Sequence, residues 1–257
     1  MTLSLDVLGC HGSGPSRTQP ASGYLVRTET TSVWMDAGTG TFLELGRRLD
    51  PAAIDVVTIS HLHADHSSDL FGWFHHLAYC RQVDGSIPVL MPPGGPDKVA
   101  AFLGQSGDDD PVHQVLDMIE MDDGDQMTVG DVRLRFAPAN HSVPCNATRI
   151  EHDGASLVFS GDTGLGGGFP DLARGADVVL CEAGLDGPRH LTPYPFHLSP
   201  AEAADIAEGA GAHTLILTHL APGLDPEAAA ESASLRFSGE VLVAEPGLVV
   251  PVRKRTG

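Results

Sequence analysis

Short apolar runs of strand length alternate with helical candidates along the chain, so both strands and helices are expected in the fold. Most of the runs have the length of a strand and are bounded by Gly, Pro, Asp or Asn. The predicted strands are Leu3–Leu8, Tyr24–Val26, Val33–Met35, Val56–Ile59, Val132–Phe136, Leu157–Phe159, Val178–Leu180, Leu215–Leu217 and Val241–Val243. The clearest helix starts are Ser199–Glu202, which forms a capping box, and Asp225–Glu227. Two further helices are predicted, one beginning at Ser67 and one over residues 98–103.

The length and the absence of a linker indicate one domain. A chain of 257 residues can bury a core without disulfides or a structural metal. No Pro-, Ser- or Gly-rich linker divides it, so residues 1–257 are expected to form a single domain, with a solvated loop at Gln105–Pro111. Val33–Gly38 and Leu157–Gly164 both run from an apolar strand into an Asp near Gly. This similarity fits two related β-rich halves that meet at one site.

The charge balance argues against a large nucleic-acid surface. Fifteen Lys and Arg against thirty-four Asp and Glu give a net charge of −19, which repels phosphate backbones and anionic lipid. Neither export nor membrane insertion is expected, because the N-terminal sequence lacks a basic segment followed by a long apolar run and the apolar stretches are short. A cytoplasmic location is expected, since widely spaced cysteines suit reduced thiols. These cysteines are Cys10, Cys80, Cys145 and Cys181.

The segment Thr58–His66 is the most informative part of the chain, because it places three imidazoles and a carboxylate within six residues. His61 and His63 are two positions apart on extended backbone, so they project to the same side and can bind one ion. Where the following helix begins, Asp65 and His66 point elsewhere and can bind a second ion. Neutral imidazole and carboxylate suit zinc, iron or manganese. The alternative interpretation is a His-rich surface loop.

Three more side chains of metal-ligand type follow predicted strands. His141 comes after the strand that ends at Phe136, Asp162 after the strand that ends at Phe159, and His219 after the strand that ends at Leu217. A single residue of this kind is usually part of a turn. Three of them, in addition to the histidine segment, indicate a shared metal site.

On these residues the chain resembles the metallo-β-lactamase superfamily along nearly its whole length. The residues that match the HxHxDH motif and the three later ligand motifs are His61, His63, Asp65, His66, His141, Asp162 and His219. The resemblance implies a four-layer αββα sandwich of two mixed β-sheets, with helices on the outer faces and metals at one edge. It also implies two divalent metal ions, with zinc expected and manganese or iron as alternatives. By the same resemblance, the first ion is bound by His61, His63 and His141, the second by Asp65, His66 and His219, and Asp162 bridges them.

A narrower resemblance is to the ribonuclease Z and related phosphodiesterase branch. It is carried by Cys181–Ala183, by His197–Ala204 and by His141–Pro144. In that branch, a Glu and a His that match Glu182 and His197 form a proton-donating pair near the metals. The chain is similar to a group of ribonuclease Z-like proteins that lack the tRNA-gripping arm, some of which hydrolyse cyclic nucleotides. No Gly-rich, basic insertion resembling that arm is found in the sequence.

These features predict a dinuclear metal-dependent phosphodiesterase that cleaves a small phosphodiester, with a cyclic nucleotide such as cAMP favoured. Asp65 is expected to orient or deprotonate the attacking hydroxide, and His197, held by Glu182, to protonate the leaving alkoxide. The alternatives are a carboxylic-ester or lactone hydrolase of the same fold, a ribonuclease Z-type RNA-processing nuclease, and a non-hydrolytic member with a diiron site or a scaffolding role. The expected partner is a small-molecule phosphodiester, with no membrane, and the sequence leaves a homodimer open.

Several other residues lie near the motifs. The loop Gly9–Gly14 resembles one that lies near the substrate in this family, and its backbone N–H groups could meet a phosphate, although a plain turn is equally compatible. Asp36 is expected to support the site rather than bind metal. Arg149 and Arg189 are candidates for neutralising substrate charge.

Overall fold

Two seven-stranded β-sheets form the centre of the structure, a computed structural model that describes residues 2–80, 85–104, 114–187, 189–192 and 194–254. The first sheet contains β1 (Leu3–Gly9), β2 (Gly23–Arg27), β3 (Ser32–Met35), β4 (Val56–Thr58), β5 (Ile87–Met91), β6 (Leu116–Glu120) and β14 (Val249–Val252), in the order β14-β1-β2-β3-β4-β5-β6. The second contains β7 (Gln126–Val129), β8 (Val132–Pro138), β9 (Asn146–His152), β10 (Ala155–Phe159), β11 (Val178–Glu182), β12 (Thr214–Thr218) and β13 (Glu240–Val243), in the order β13-β12-β11-β10-β9-β8-β7. The predicted loop at Gln105–Pro111 lies outside the described residues.

All the predicted strands are present, but the sequence pattern does not predict β5, β6, β7, β9 and β14. Three of these, β6, β7 and β14, are outermost strands of their sheets. An outermost strand carries polar side chains on the face toward solvent, and β14 accordingly alternates exposed and buried residues. The interior strand β9 was obscured by its charged residues Arg149 and Glu151, which pair with each other at 2.8 Å.

The helices cover the outer faces of the two sheets. Helices α1 (Thr41–Gly46), α2 (Ala64–His75) and α3 (Gly95–Phe102) share an apolar cluster with the first sheet, in which Trp34 and Trp73 pack edge to face at 5.7 Å. Helices α4 (Phe169–Leu172), α5 (Pro200–Ala210) and α6 (Pro226–Ser234) share a second cluster with the second sheet. A third cluster, which includes Leu5 and Ile216, lies between the sheets. The four-layer αββα arrangement is therefore confirmed.

The start of α2 differs from the prediction. The helix begins at Ala64 rather than at Ser67, and His63 is its N-cap residue. The hydroxyl of Ser67 donates to the His63 carbonyl oxygen, so it bonds back along the helix instead of capping it. Asp65 fits the first turn because a carboxylate is favoured beside the free N–H groups there. The helix predicted over residues 98–103 is present as α3.

The strand directions bring one end of each sheet to the same place. In the first sheet β3, β4, β5 and β6 are parallel, and in the second β10, β11, β12 and β13 are parallel. The loops that follow parallel strands collect at one edge of a sheet. All four cysteines are free thiols. None of the helices in the described ranges is long and apolar enough to cross a membrane.

Candidate metal centre

The predicted ligands meet at the carboxyl ends of strands from both sheets. β4 leads into His61–His66, β10 into Asp162 and β12 into His219. His141 follows β8, which has the same direction as β10 because each pairs antiparallel with β9. The structure thus brings together all the residues that the sequence predicts as ligands. They form two groups: His61, His63, His141 and Asp162 in one, and Asp65, His66 and His219 in the other.

The first group is a convergence of imidazole nitrogens. Nε2 of His61 lies 2.9 Å from Nδ1 of His63, and Nε2 of His141 lies 3.2 Å from the same Nδ1. Burial, together with the nearby charge of His66, lowers the pKa of His61 well below its ordinary value. Burial also lowers the pKa of His141 to about 4. Neutral imidazoles with converging lone pairs are a donor set for a divalent metal.

The second group surrounds a carboxylate, and Asp162 faces both groups. Oδ2 of Asp65 lies 3.5 Å from Nε2 of His66 and 3.2 Å from Nε2 of His219. Asp162 places Oδ1 3.3 Å from Nε2 of His66 and Oδ2 3.5 Å from Nε2 of His219. The same Oδ2 lies 3.8 Å from Nε2 of His61, in the first group. Asp162 is therefore positioned to contact ions in both groups.

Two buried atoms at the centre test whether these residues fit a metal. Nε2 of His66 and Oδ1 of Asp162 have no hydrogen-bond partner among the described residues. Buried polar atoms without a partner are rare. Nδ1 of His66 donates to Asp36, so its Nε2 presents a lone pair toward a carboxylate. Burial would lower the pKa of His66, but the charges of the two carboxylates that face it, Asp162 and Asp36, raise it. A divalent cation satisfies both atoms, so the residues fit.

One buried carboxylate orients a histidine from each group. Asp36 accepts hydrogen bonds from the backbone N–H of Ser60 at 2.7 Å, from its hydroxyl at 2.8 Å and from Nδ1 of His66 at 2.7 Å. The Ser60 hydroxyl in turn accepts from Nδ1 of His61 at 3.1 Å. Both imidazoles therefore carry their proton on Nδ1 and direct Nε2 to the metal centre. The position agrees with the supporting role expected for Asp36, which adopts a left-handed φ of 54°.

Replacing Asp36 by Asn should weaken metal binding without unfolding the protein. The amide cannot accept from all three donors, so the orientation of both imidazoles is loosened, and we expect metal affinity to fall about 10- to 100-fold. Asp177→Asn is the matched control, because Asp177 is also buried and accepts from the N–H and hydroxyl of Ser156, at 2.8 and 3.0 Å, away from the metal centre. Competition titration with a chromogenic chelator measures both variants. Equal affinities in the two variants would contradict the orienting role.

The Glu182–His197 pair lies beside the metal groups. Glu182 ends β11 and is fully buried. Its Oε1 accepts from Nδ1 of His197 at 3.0 Å and from the N–H of Thr163 at 2.8 Å, and its Oε2 accepts from the N–H of Gly184 at 2.7 Å. Burial raises the pKa of Glu182. Burial would lower the pKa of His197, but the hydrogen bond and charge of Glu182 raise it. The pair therefore favours a protonated imidazole.

The ring of His197 lies between one residue of each metal group. It stacks on His219 with centroids 5.5 Å apart, and its centroid is 5.6 Å from that of His141. Its Nδ1 is 4.0 Å from Oδ2 of Asp162. His197, Asp162 and His219 therefore form a third group of side chains that lie close enough together to bind a metal ion. Because the Nδ1 proton is donated to Glu182, that nitrogen has no lone pair for a metal. The other nitrogen, Nε2, is left to act on a substrate.

Arg189 has a different role from the one considered for it. Its guanidinium binds the carboxylate of Glu202 at 2.6 and 2.7 Å and also donates to the backbone carbonyls of Pro195 and His197. It thus fixes the segment carrying His197 to the first turn of α5. The guanidinium of Arg149 is committed to Glu151 and to two backbone carbonyls. The interpretation of these arginines as substrate-neutralising cations is therefore not supported.

The loop Gly9–Gly14 lies against a predicted ligand. The backbone N–H of Ser13 points at Nε2 of His219 at 3.3 Å, and the N–H of His219 donates to the Cys10 carbonyl oxygen. His11 stabilises the loop through its Nδ1, which lies 2.6 Å from the Gly14 carbonyl oxygen. The loop is thus next to the metal centre, and its contact with a phosphate stays a prediction.

Comparisons with known proteins agree with this geometry. Residues 31–220 match the family model of the β-lactamase superfamily domain. The uncharacterized protein Rv1339 of Mycobacterium tuberculosis is 36% identical over 249 residues, covering 94% of this chain and 89% of that protein. A ribonuclease Z of Mycobacterium bovis is 28% identical over 269 residues, covering 94% and 95%. The crystal structure of the metallo-β-lactamase fold protein YhfI from Bacillus subtilis matches with a TM-score of 0.87 at 25% identity, covering 98% of this chain and 100% of that one.

The family model spans most of the chain, including every residue predicted to bind metal. The fold, the order of the strand-end residues and the metal-type donor set lead to one conclusion. The chain belongs to the metallo-β-lactamase superfamily and is a metal-dependent hydrolase.

Proposed function

We propose that this hydrolase is a dinuclear phosphodiesterase that acts on a small phosphodiester, in particular a cyclic nucleotide such as cAMP. The observation that carries the proposal is the position of His197, which Glu182 holds beside a residue of each metal group. The alkoxide released from such a phosphodiester is a poor leaving group unless it receives a proton. The similarity to a ribonuclease, whose substrate is also a phosphodiester, supports the proposal.

Each side chain then has a distinct task. His61, His63 and His141 would hold one ion, Asp65, His66 and His219 the other, and Asp162 both. The bound ions, for which we propose zinc, would stabilise charge on the phosphoryl oxygens and activate the attacking water. Burial would raise the pKa of Asp65, but the neighbouring imidazoles of His219 and His66 lower it, so it stays a carboxylate. As a carboxylate, Asp65 can orient the attacking water or accept its proton.

A carboxylic-ester or lactone hydrolase of the same fold is the second candidate. Ester hydrolysis would use the same donor set but has less need of an acid at His197. Protein reconstituted with zinc or manganese should be assayed against phosphodiesters, lactones and thioesters. Turnover of lactones or thioesters, with none of any phosphodiester, would overturn the proposed function.

Substrate size separates the proposal from an RNA-processing nuclease. A protein that neutralises many phosphates loses about 10³- to 10⁵-fold in affinity between about 50 and 200 mM salt. With a net charge of −19, this chain presents little surface of that kind. We expect kcat/KM for cAMP to change less than about tenfold over this range, because one phosphate is contacted.

A 3′-extended tRNA precursor is the comparison substrate, and we expect it to be cleaved poorly or not at all. Efficient, strongly salt-sensitive cleavage of the precursor with no turnover of cyclic nucleotides would show that a basic surface is assembled in three dimensions.

A further inference from the structure

An apolar hollow lies beside the metal-binding segment and has no role in the chemistry described above. Its volume is about 490 Å³, within the range of small-molecule sites. It is formed by the start of α2, the preceding residues and the end of α3. The residues that line it are Leu62, Ala64, Ser67, Ser68, Phe71, Lys98, Val99 and Phe102.

Two aromatic rings form one wall of the hollow. Phe71 and Phe102 lie with their centroids 4.2 Å apart and their planes inclined at 35°. Phe102 is 72% exposed, although burying a large apolar side chain is normally favourable. Phe71 covers one side of the Phe102 ring, so the remaining surface is available to a flat ligand. Aromatic side chains with an open face bind nucleobases by stacking, with little dependence on base identity.

The hollow lies next to the segment that carries two of the predicted metal ligands. Leu62 lies between His61 and His63 in the chain and lines the hollow. A second hollow of about 140 Å³ is lined by His63, by Val143 and Pro144 from the segment after His141, and again by Leu62 and Lys98. Lys98 therefore stands where the two hollows meet. It is the one charged side chain in the lining of either hollow among the described residues.

We propose that the hollow binds the base of a nucleotide substrate, with Phe102 as its stacking surface and Lys98 beside the sugar-phosphate. The inference rests on the proposed function and narrows its substrate class to phosphodiesters that carry a nucleobase. A flat aromatic group joined to a single anion matches the aromatic wall, the apolar side chains and the one lysine, which also lines the smaller hollow together with His63. A polyanion does not match, because a single lysine is all the positive charge that the lining offers.

The test compares cAMP with ribose 3′,5′-cyclic phosphate that lacks a base. Phe102→Ala should reduce kcat/KM for cAMP by about 5- to 100-fold, mainly through KM, since this is the effect expected from loss of one stacked base. The base-free substrate should be unaffected, because the proposal has Phe102 contact only the base. Phe102→Trp should restore the activity on cAMP. Leu235→Ala is the matched control, since Leu235 is 86% exposed and lines neither hollow.

Two further measurements separate the outcomes. Calorimetric binding of cAMP to chelator-treated protein does not depend on turnover, and Phe102→Ala should weaken it while Leu235→Ala should not. If Phe102→Ala lowers activity on both substrates equally, or changes neither activity nor binding, the base subsite is refuted while the phosphodiesterase function stands. If sedimentation shows that Phe102→Ala dissociates an oligomer without selective loss on cAMP, the patch is a contact between chains and the inference is wrong. Failure of the unaltered protein to hydrolyse any phosphodiester refutes the proposed function itself.

Discussion

Asp162→Asn should abolish hydrolysis and remove at least one bound metal ion per chain. Asp162 is the residue whose carboxylate faces both groups, with Oδ2 3.8 Å from Nε2 of His61 in the first group and Oδ1 3.3 Å from Nε2 of His66 in the second. The amide removes a negative charge and replaces one acceptor oxygen with a donor that points at imidazole nitrogens. Substitution of residues that only support metal ligands costs about 10- to 100-fold, so loss of a residue shared by both ions should exceed about 100-fold.

Metal analysis by mass spectrometry and activity on a nitrophenyl phosphodiester measure this effect. The unaltered protein should hold up to two ions per chain, and removal of these ions by a chelator should be reversed by their addition. Asp177→Asn again serves as the control for loss of a buried carboxylate, because it lies outside the metal centre and should retain both ions. An Asp162→Asn variant with two ions and full activity would disprove the shared role, and a single ion in the fully loaded protein would disprove the dinuclear assignment.

The convergence of the candidate ligands could be predicted because each of them follows a strand closely in the sequence. His61, His63 and His66 lie in one short segment. Residues that follow parallel strands gather at the same edge of a sheet, so their proximity can be inferred from the strand pattern alone. The exact start of the helix is harder to predict from the sequence. The helix after His63 begins three residues before the predicted Ser67, since the serine hydroxyls bond back to carbonyls of the first turn rather than to free N–H groups.

The supporting contacts could not be predicted because they join distant parts of the chain through backbone groups. Glu182 accepts hydrogen bonds from the backbone N–H groups of Thr163 and Gly184. Nearly every residue has a backbone N–H, so the sequence does not indicate which of them bind Glu182. Arg189 is a similar case, since its partners Glu202 and the Pro195 carbonyl become neighbours only when the segment folds onto α5. Among these supporting residues, Asp36 could be recognised in the sequence, because it is an acidic residue at the end of an apolar strand, as Asp162 is.

His197→Ala should leave metal binding intact and slow the hydrolysis of alkyl phosphodiesters by about 10²- to 10⁴-fold, the usual range for general acid catalysis. Two roles are compatible with the position of this ring, because His197 also lies within reach of Asp162 and His219 as a metal-type donor. The 3.0 Å hydrogen bond from Nδ1 to Glu182 favours the acid, since a nitrogen that donates its proton cannot bind an ion. Metal content therefore distinguishes the roles, and a loss of one ion in His197→Ala would assign the residue as a ligand.

The leaving group gives the sharper test of the acid. A nitrophenolate is stable without a proton, so the His197→Ala defect should shrink for a nitrophenyl phosphodiester and stay large for cAMP, whose leaving group is a sugar alkoxide.

Glu182→Gln is the companion variant. It keeps a hydrogen-bond acceptor for Nδ1 but removes the charge that raises the pKa of His197, so the fraction of protonated imidazole falls. We therefore expect Glu182→Gln to show the same dependence on leaving group, with a smaller loss than His197→Ala, and the high-pH limb of its activity profile to move to lower pH. Equal losses on both substrates, with an unmoved pH profile, would mean that the pair positions the substrate instead of donating a proton to it.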